Sequence, residues 1–463
     1  MRIILLTLLT LPCCFSAPKS VLLENIPHIE QQPDFCGEAC VAMFLQHLGK
    51  PHTQEDVFNA SGLDPVEGRG CYTRELQAAL IAMGFDPGKA AYTISATKAQ
   101  SKMHQHFSAV HADLLKGIPA ILCMHYNDQP KTTEHFRLIV GYDAKTDEVI
   151  YHEPAEADGG YKRMKRSLLY TLWPLKYDRT NWTLIRMALK PKQLKAPIAH
   201  ASFSDAAYAQ HILALKNRLP SDDFHIVLQR PFVVIGNEKP EQVRLRAEQT
   251  VHWATTHLKE QYFTRDPEEI LDVWLFKDAK TYNKYNQEMF GGSPTTPFGY
   301  YSRQYKALVM NINTGGGTLV HEIVHPFMES NFPGYAAWFN EGLASLYEQC
   351  GERKGQMVGF TNWRLAGLKK AITSGEVPTF QRLCSTTTDE FYHQDRGTNY
   401  SQARYLCYYL QEKGLLKTYY ETYRANADSD PSGYESLKQV LKQPDMKAFQ
   451  KSWEAFVTRL RFP

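Results

Sequence analysis

The stretch Leu319–Glu348 reads LVHEIVHPFMESNFPGYAAWFNEGLASLYE. Within it His321-Glu322-Ile323-Val324-His325 forms an H-E-x-x-H motif. Residues four apart share one face of a helix, so both imidazoles leave the same side. That spacing suits two neighbouring nitrogen ligands of a Zn²⁺ ion. Further on, Glu341 in Trp338-Phe339-Asn340-Glu341-Gly342 offers a carboxylate from what reads as a second helix. Three protein ligands leave a fourth position open, which marks a catalytic rather than a structural zinc site. Glu322 is not needed as a ligand and is placed to accept a proton from a water at that open position. Pro326 follows His325 directly; it lacks an N–H and crowds the residue before it, which predicts that the helix ends or bends there.

H-E-x-x-H followed at this distance by Asn340-Glu341-Gly342 resembles the gluzincin metallopeptidases, the peptidase MA-like group. The resemblance implies His321, His325 and Glu341 as zinc ligands and Glu322 as general base. It also implies an edge strand ahead of the metal helix that pairs with extended substrate; Lys306–Ile312 is the candidate. Gly315, Gly316 and Gly317 then let the backbone turn into the helix. An electrophile for the oxyanion is implied as well, with Tyr400 the candidate and Tyr392 and His393 the alternatives. Outer partners for the two histidines are expected, and Glu348 and Glu329 are near in sequence.

Working outward, 463 residues predict two or more domains. A hydrophobic fraction of 43% with 22% charged residues is that of a globular protein rather than a disordered one. The net charge of +3 gives no reason to invoke nucleic acid. The first residues, MRIILLTLLTLPCCFSA, place Arg2 before a short apolar run and small residues, the pattern of a signal peptide cleaved after Ser16. Lipidation at Cys14 is the alternative. No later stretch is apolar and long enough to cross a membrane, so the mature chain is expected to be exported, periplasmic or extracellular. Seven cysteines follow the signal: Cys36, Cys40, Cys71, Cys123, Cys350, Cys384 and Cys407. An odd number leaves at least one free thiol even if the others pair.

Residues 21–189 form one predicted domain. Cys36 precedes a run with helical periodicity, Ala39 to Leu48, and so sits at a helix N-terminus, where the dipole lowers a thiol's pKa. Three segments rich in β-formers follow: IPAILCMHY, HFRLIVGYD and EVIYHEPA. A helix followed by an antiparallel sheet is an α+β pattern. A helix-borne cysteine followed by a strand histidine, His135, and a third polar group, Glu153, is how papain-like cysteine peptidases are built. The matching residues Gln31, Cys36-Gly37, His135-Phe136 and Glu153-Pro154 resemble the bacteriocin-processing, double-glycine type of papain-like peptidase. The resemblance implies Cys36 as nucleophile, His135 as base and Gln31 as oxyanion donor. Gln32 is a competing donor, and the third member is Glu153 where the family has Asp. Cys36 pairing with Cys40 or Cys71 is the inert alternative.

Residues 190–204 hold two prolines and no periodicity and read as a linker. Residues 205–463 form the second domain, with strands in its first half and mostly helices after Glu348. The fold class is therefore α+β: a papain-like domain, then a zincin-like domain with a small mixed sheet and a mostly helical end. The expected function is an exported zinc metallopeptidase acting on peptides, with a cysteine-peptidase domain ahead of it. The alternatives are a non-catalytic peptide-binding N-terminal module, or a zinc-binding protein without turnover.

Overall fold

A sheet with its strands in the order β2-β7-β3-β4-β5-β6 organises the first part of the chain. In chain order its strands are β1 (Val21–Leu22), β2 (Ala91–Ser95), β3 (Ala120–His125), β4 (Glu134–Asp143), β5 (Glu148–His152), β6 (Lys162–Lys165) and β7 (Asn181–Ala188), with β1 pairing to the far end of β4. Every pairing is antiparallel. Because side chains alternate across a strand, the sheet feeds two cores. Ile121, Cys123, Phe136, Leu138 and Val140 pack with the thiol helix Cys36–His47 and the helix Thr73–Met83. Leu122, Met124 and Ile139 pack with the helix Ala99–Leu114 on the other face. The computed structural model describes residues 19–197, 202–394 and 397–462. The signal segment expected at 1–16 lies outside them.

The second part is built on a five-stranded mixed sheet of β8 (His225–Gln229), β9 (Phe232–Gly236), β10 (Leu271–Phe276), β11 (Gly299–Ser302) and β12 (Ala307–Asn311), in the order β11-β12-β10-β9-β8. β9, β10 and β12 run parallel; β8 and β11 are antiparallel edges. Val234, Val273, Leu308 and Met310 join the core formed with the helix Gly317–Asn331. On the opposite face Phe276 meets Tyr282 and Tyr285 of the helix Ala279–Met289, and nearby Phe224 meets Trp274, Phe276 and Tyr285. A two-stranded hairpin, β13 (Cys350–Arg353) and β14 (Gln356–Gly359), is followed by a mostly helical remainder. The α+β class read from the sequence is thus the observed one.

The structure refines three local expectations. The chain divides into compact units at Met1–Ala214 and Leu215–Pro463, so the break falls inside the helix Asp205–Lys216 and not in the expected linker at 190–204. Ala206 and Ala209 are buried in the first unit's core, and Gln210 Nε2 donates to Pro33 O at 2.9 Å. Lys192 and Gln193 N–H both donate to Gly84 O, which ties the proline-bearing segment to that unit too. The expected substrate edge, Lys306–Ile312, contains β12, which has neighbours on both sides; the edge is β11. Of the two outcomes expected at Pro326, an end or a bend, the end is not the one found: the helix runs on to Asn331. Asn331 secures that end: its Nδ2 donates to Phe327 O at 2.9 Å and its Oδ1 accepts from the N–H groups of Thr264 and Arg265, each at 2.9 Å.

Candidate metal and thiol sites

The helix Gly317–Asn331 carries His321, Glu322 and His325, and the helix Ala337–Leu346 carries Asn340 and Glu341. Gly315, with φ +107°, makes the turn before the first helix. Gly317 has a different reason to be glycine: a Cβ there would lie 2.0 Å from Glu348 O. The chain after the second helix is therefore pressed against the start of the first.

One ligand atom from each of His321, His325 and Glu341 falls within 4.8 Å of the others, and all three residues are buried. Glu341 Oε2 is 3.3 Å from His321 Nε2, and its Oε1 is 3.8 Å from His325 Nε2. Both Nε2 atoms thus face the carboxylate, and each Nδ1 faces another residue. His321 Nδ1 lies 3.3 Å from Glu348 Oε1, and His325 Nδ1 is 3.2 Å from Asn340 Oδ1. Arg364 clamps Glu348 through Nη2 at 2.8 Å and Nε at 3.0 Å, and Asn362 Nδ2 donates to it at 3.1 Å. Such partners fix the tautomer and tilt of a ligating imidazole. Glu329, the other acid near in sequence, instead accepts from Tyr301 OH at 3.1 Å and Arg303 Nε at 2.6 Å.

The electrostatics follow from this packing. Burial disfavours the charge on Glu341, but His325, His321 and the Tyr392 hydroxyl outweigh it and bring its pKa down to about 2. Glu348 is held at about 2 in the same way, with burial outweighed by His321 and Arg364. Glu322 is pushed up by burial, against the pull of His321 and His325. Its Oε2 accepts the Tyr301 N–H at 3.0 Å, so edge strand β11 also orients the candidate base. His321, Glu322, Glu348, Arg364 and Tyr400 line one cavity of about 1050 Å³. Tyr392 donates to Glu341 Oε1 at 2.6 Å, whereas His393 points away, 3.0 Å from Asp389 Oδ1.

In the first unit, Cys36 is the first residue of its helix. Gln31, Cys36 and His135 line a cavity of about 830 Å³. Gln31 Oε1 is buried without a hydrogen-bond partner among the described residues. Gln32 turns away: its side chain donates to Glu55, and its N–H donates to Gln54 Oε1 at 2.8 Å. His135 Nε2 lies 2.5 Å from Glu153 Oε1, so the longer Glu reaches the ring. Arg137 Nε donates to Glu153 Oε2 at 2.6 Å and Ala155 N–H to Oε1 at 3.1 Å.

All seven described cysteines are free thiols, and Cys36 bonds neither Cys40 nor Cys71. The helix-terminus expectation for Cys36 is reversed. Burial pushes its thiol up to about 12, with Glu38 and Asp34 adding to the rise and backbone hydrogen bonds from Phe136 and Gly37 only partly offsetting it. The residue keeps an opening to the cavity, but the sulfur is crowded, and desolvation outweighs the dipole. Glu38 is wholly buried; Oε1 accepts the Cys71 N–H at 2.7 Å, and burial pushes its pKa up to about 7.

Sequence reading missed the contacts of Asn340 with His325 and of Tyr392 with Glu341, the Tyr301 N–H on Glu322, and Arg137. Arg137 alone carried a signal: it is an arginine inside an otherwise apolar strand run, HFRLIV. Among known proteins, no curated protein matches this chain. A solved structure, the peptidase domain of Streptococcus ComA, a bi-functional ABC transporter involved in a quorum-sensing pathway, is similar at 14% identity. That likeness covers 36% of this chain and 100% of the other, with a TM-score of 0.24. Residues 23–179 match the Peptidase_C39 like family, which supports a peptidase domain of papain-like fold in the N-terminal unit.

Proposed function

We propose that this chain is a zinc-dependent peptidase through its C-terminal unit and carries a second, thiol-dependent peptidase site in its N-terminal unit. One observation carries the first assignment: the buried convergence of His321, His325 and Glu341 within 4.8 Å. Two imidazole nitrogens and one carboxylate oxygen are a donor set that suits zinc. Bound there, Zn²⁺ would supply Lewis acidity toward an attacking water and a scissile carbonyl. Glu322, steadied by the Tyr301 N–H, takes the proton of the attacking water and passes it to the leaving amine. Tyr400 faces the same cavity as Glu322 and is the donor proposed for the oxyanion. The exposed side of β11 is the edge offered to extended substrate.

At the other site, His135 Nδ1 takes the Cys36 proton as sulfur attacks the carbonyl, Glu153 holds the ring through Nε2, and the Gln31 amide meets the oxyanion. The crowding of the Cys36 sulfur favours a second reading of this unit, a non-catalytic peptide-binding module, because burial pushes the thiol up and works against a standing thiolate. The apolar run after Arg2 supports export of the chain. Among the described residues, no helix is long and apolar enough to cross a membrane.

The test is incubation of the protein with a degenerate peptide mixture, with and without a zinc chelator, read by mass spectrometry. Cleavage abolished by the chelator supports the zinc site. Cleavage that survives it but is lost on alkylating Cys36 moves the chemistry to the thiol. Bound zinc without any cleavage would overturn the peptidase reading in favour of a zinc-binding protein without turnover.

A further inference from the structure

Arg137 lies on β4, an interior strand between β3 and β5, and its side chain is only 5% exposed. Arginine stays charged at any pH a folded protein meets, and its burial is tolerated only where its donors are taken. Here they are taken in one direction. Nε donates to Glu153 Oε2 at 2.6 Å, Nη2 to Tyr126 O at 2.8 Å and Nη1 to His125 O at 3.3 Å. The rings of Tyr126 and Tyr151 flank the guanidinium, 5.4 and 5.5 Å from its carbon.

Two residues back on the same strand face stands His135, bound to the other oxygen of the same carboxylate. Glu153 has one more rotatable bond than aspartate and is 1% exposed. Left alone, it would be a buried charge with a choice of rotamers. The guanidinium compensates the charge and fixes Oε2, which leaves Oε1 aimed at the histidine. Tyr126, whose carbonyl Arg137 also binds, stands edge-on to His135 with ring centres 5.3 Å apart. The ring of His135 is thereby held from two sides by groups that share one arginine.

Resting on the thiol-peptidase reading of this unit, we propose that Arg137 is a positioning residue of the thiol site. It clamps Glu153, and through Glu153 it keeps His135 oriented with Nδ1 toward Cys36. Replacement of Arg137 should therefore act on Cys36 through His135, and chiefly by way of Glu153.

Iodoacetamide alkylation of Cys36 at pH 8 reads this without knowledge of a substrate. The intact chain is used, the Cys36 peptide is quantified by mass spectrometry, and buried Cys40 and Cys71 report on unfolding. His135→Ala and Glu153→Gln are expected to slow Cys36 at least tenfold, and Arg137→Met by a similar factor. Arg137→Lys keeps the charge but cannot hold the carboxylate and both carbonyls together, so it should fall between Arg137→Met and the native protein. In the Glu153→Gln background, Arg137→Met should add less than a twofold loss. Two independent, multiplying losses would make Arg137 a merely structural residue and overturn the inference, as would native alkylation rates in Arg137→Met. Should Arg137→Met expose Cys40 and Cys71, the double variant, which removes both charges at once, and Arg137→Lys decide: a native rate in Arg137→Lys, or a double variant much slower than Glu153→Gln alone, overturns the clamp. If His135→Ala leaves Cys36 unchanged, the thiol-peptidase reading falls and this inference falls with it.

Discussion

Glu348→Gln should weaken zinc binding while leaving His321, His325 and Glu341 untouched. Glu348 Oε1 lies 3.3 Å from His321 Nδ1, and the carboxylate is ionised because its pKa is near 2. Glutamine keeps the shape but loses the charge that draws the Nδ1 proton and so raises the basicity of Nε2. Loss of such a partner reduces metal affinity by roughly 10–100-fold, or about 1.4–2.7 kcal/mol. The lower half is expected, since the amide oxygen can still accept one hydrogen bond. Arg364 also loses its anionic partner at 2.8 Å, which should lower stability by about 1–3 kcal/mol. The measurement is a zinc titration in competition with a chromophoric chelator, on the native protein, Glu348→Gln and Glu329→Gln. Glu329 is on the same helix as the histidines but is bound to Tyr301 and Arg303, so its variant should match the native affinity. Affinity within twofold of native for Glu348→Gln, or a larger loss for Glu329→Gln, would refute the reasoning.

Glu322→Gln should keep bound zinc and lose about 10²–10⁴-fold in peptide cleavage, checked by metal analysis beside a cleavage assay; retained activity removes Glu322 as the base. Glu38→Gln should stabilise the protein at high pH only. A carboxyl at about 7 when folded and near 4.5 when unfolded contributes its full stability below 4.5 and loses it as pH rises through 7. Glutamine mimics the protonated form, so the gain should be near zero at pH 4 and at most roughly 3 kcal/mol at pH 8; equal melting shifts at the two pH values would contradict this. Gly317→Ala puts a Cβ 2.0 Å from Glu348 O and should cost about 1–3 kcal/mol, with weaker zinc binding because Glu348 is displaced; a native melting temperature and zinc affinity together would show that the contact is slack.

Spacing made the cluster proposed to hold a metal legible. Four-residue periodicity brings His321 and His325 together wherever the segment is helical, and Glu341 follows on the next helix. Three strands of the N-terminal sheet, β3, β4 and β5, were likewise visible as short apolar runs, and their register brings His135 and Glu153 to one carboxylate–imidazole pair. What escaped was whatever depends on the third dimension. Whether Lys306–Ile312 is an edge or an interior strand depends on where the four residues of β11 pair, and periodicity does not encode neighbours. The Cys36 thiol was misjudged because a helix terminus is local, whereas the desolvation that outweighs it comes from elements distant in sequence. Asn340 and Tyr392 are common polar residues whose importance lies only in what they touch.

The close approach of Gly317 to Glu348 closes a loop of about thirty residues that holds every proposed ligand together with the outer carboxylate. Cys36 and His135 are instead about a hundred residues apart, and their meeting requires β3, β4 and β5 to be in register. On loop-entropy grounds alone, closing the longer loop costs about 1 kcal/mol more, before the sheet's own non-local pairing is added. The two proposed sites therefore assemble by different routes: the His321–His325–Glu341 cluster by condensation of neighbouring segments, the Cys36–His135 pair only with the whole sheet. During refolding, recovery of zinc affinity should run ahead of recovery of Cys36 reactivity, although Cys36 stands first in the chain.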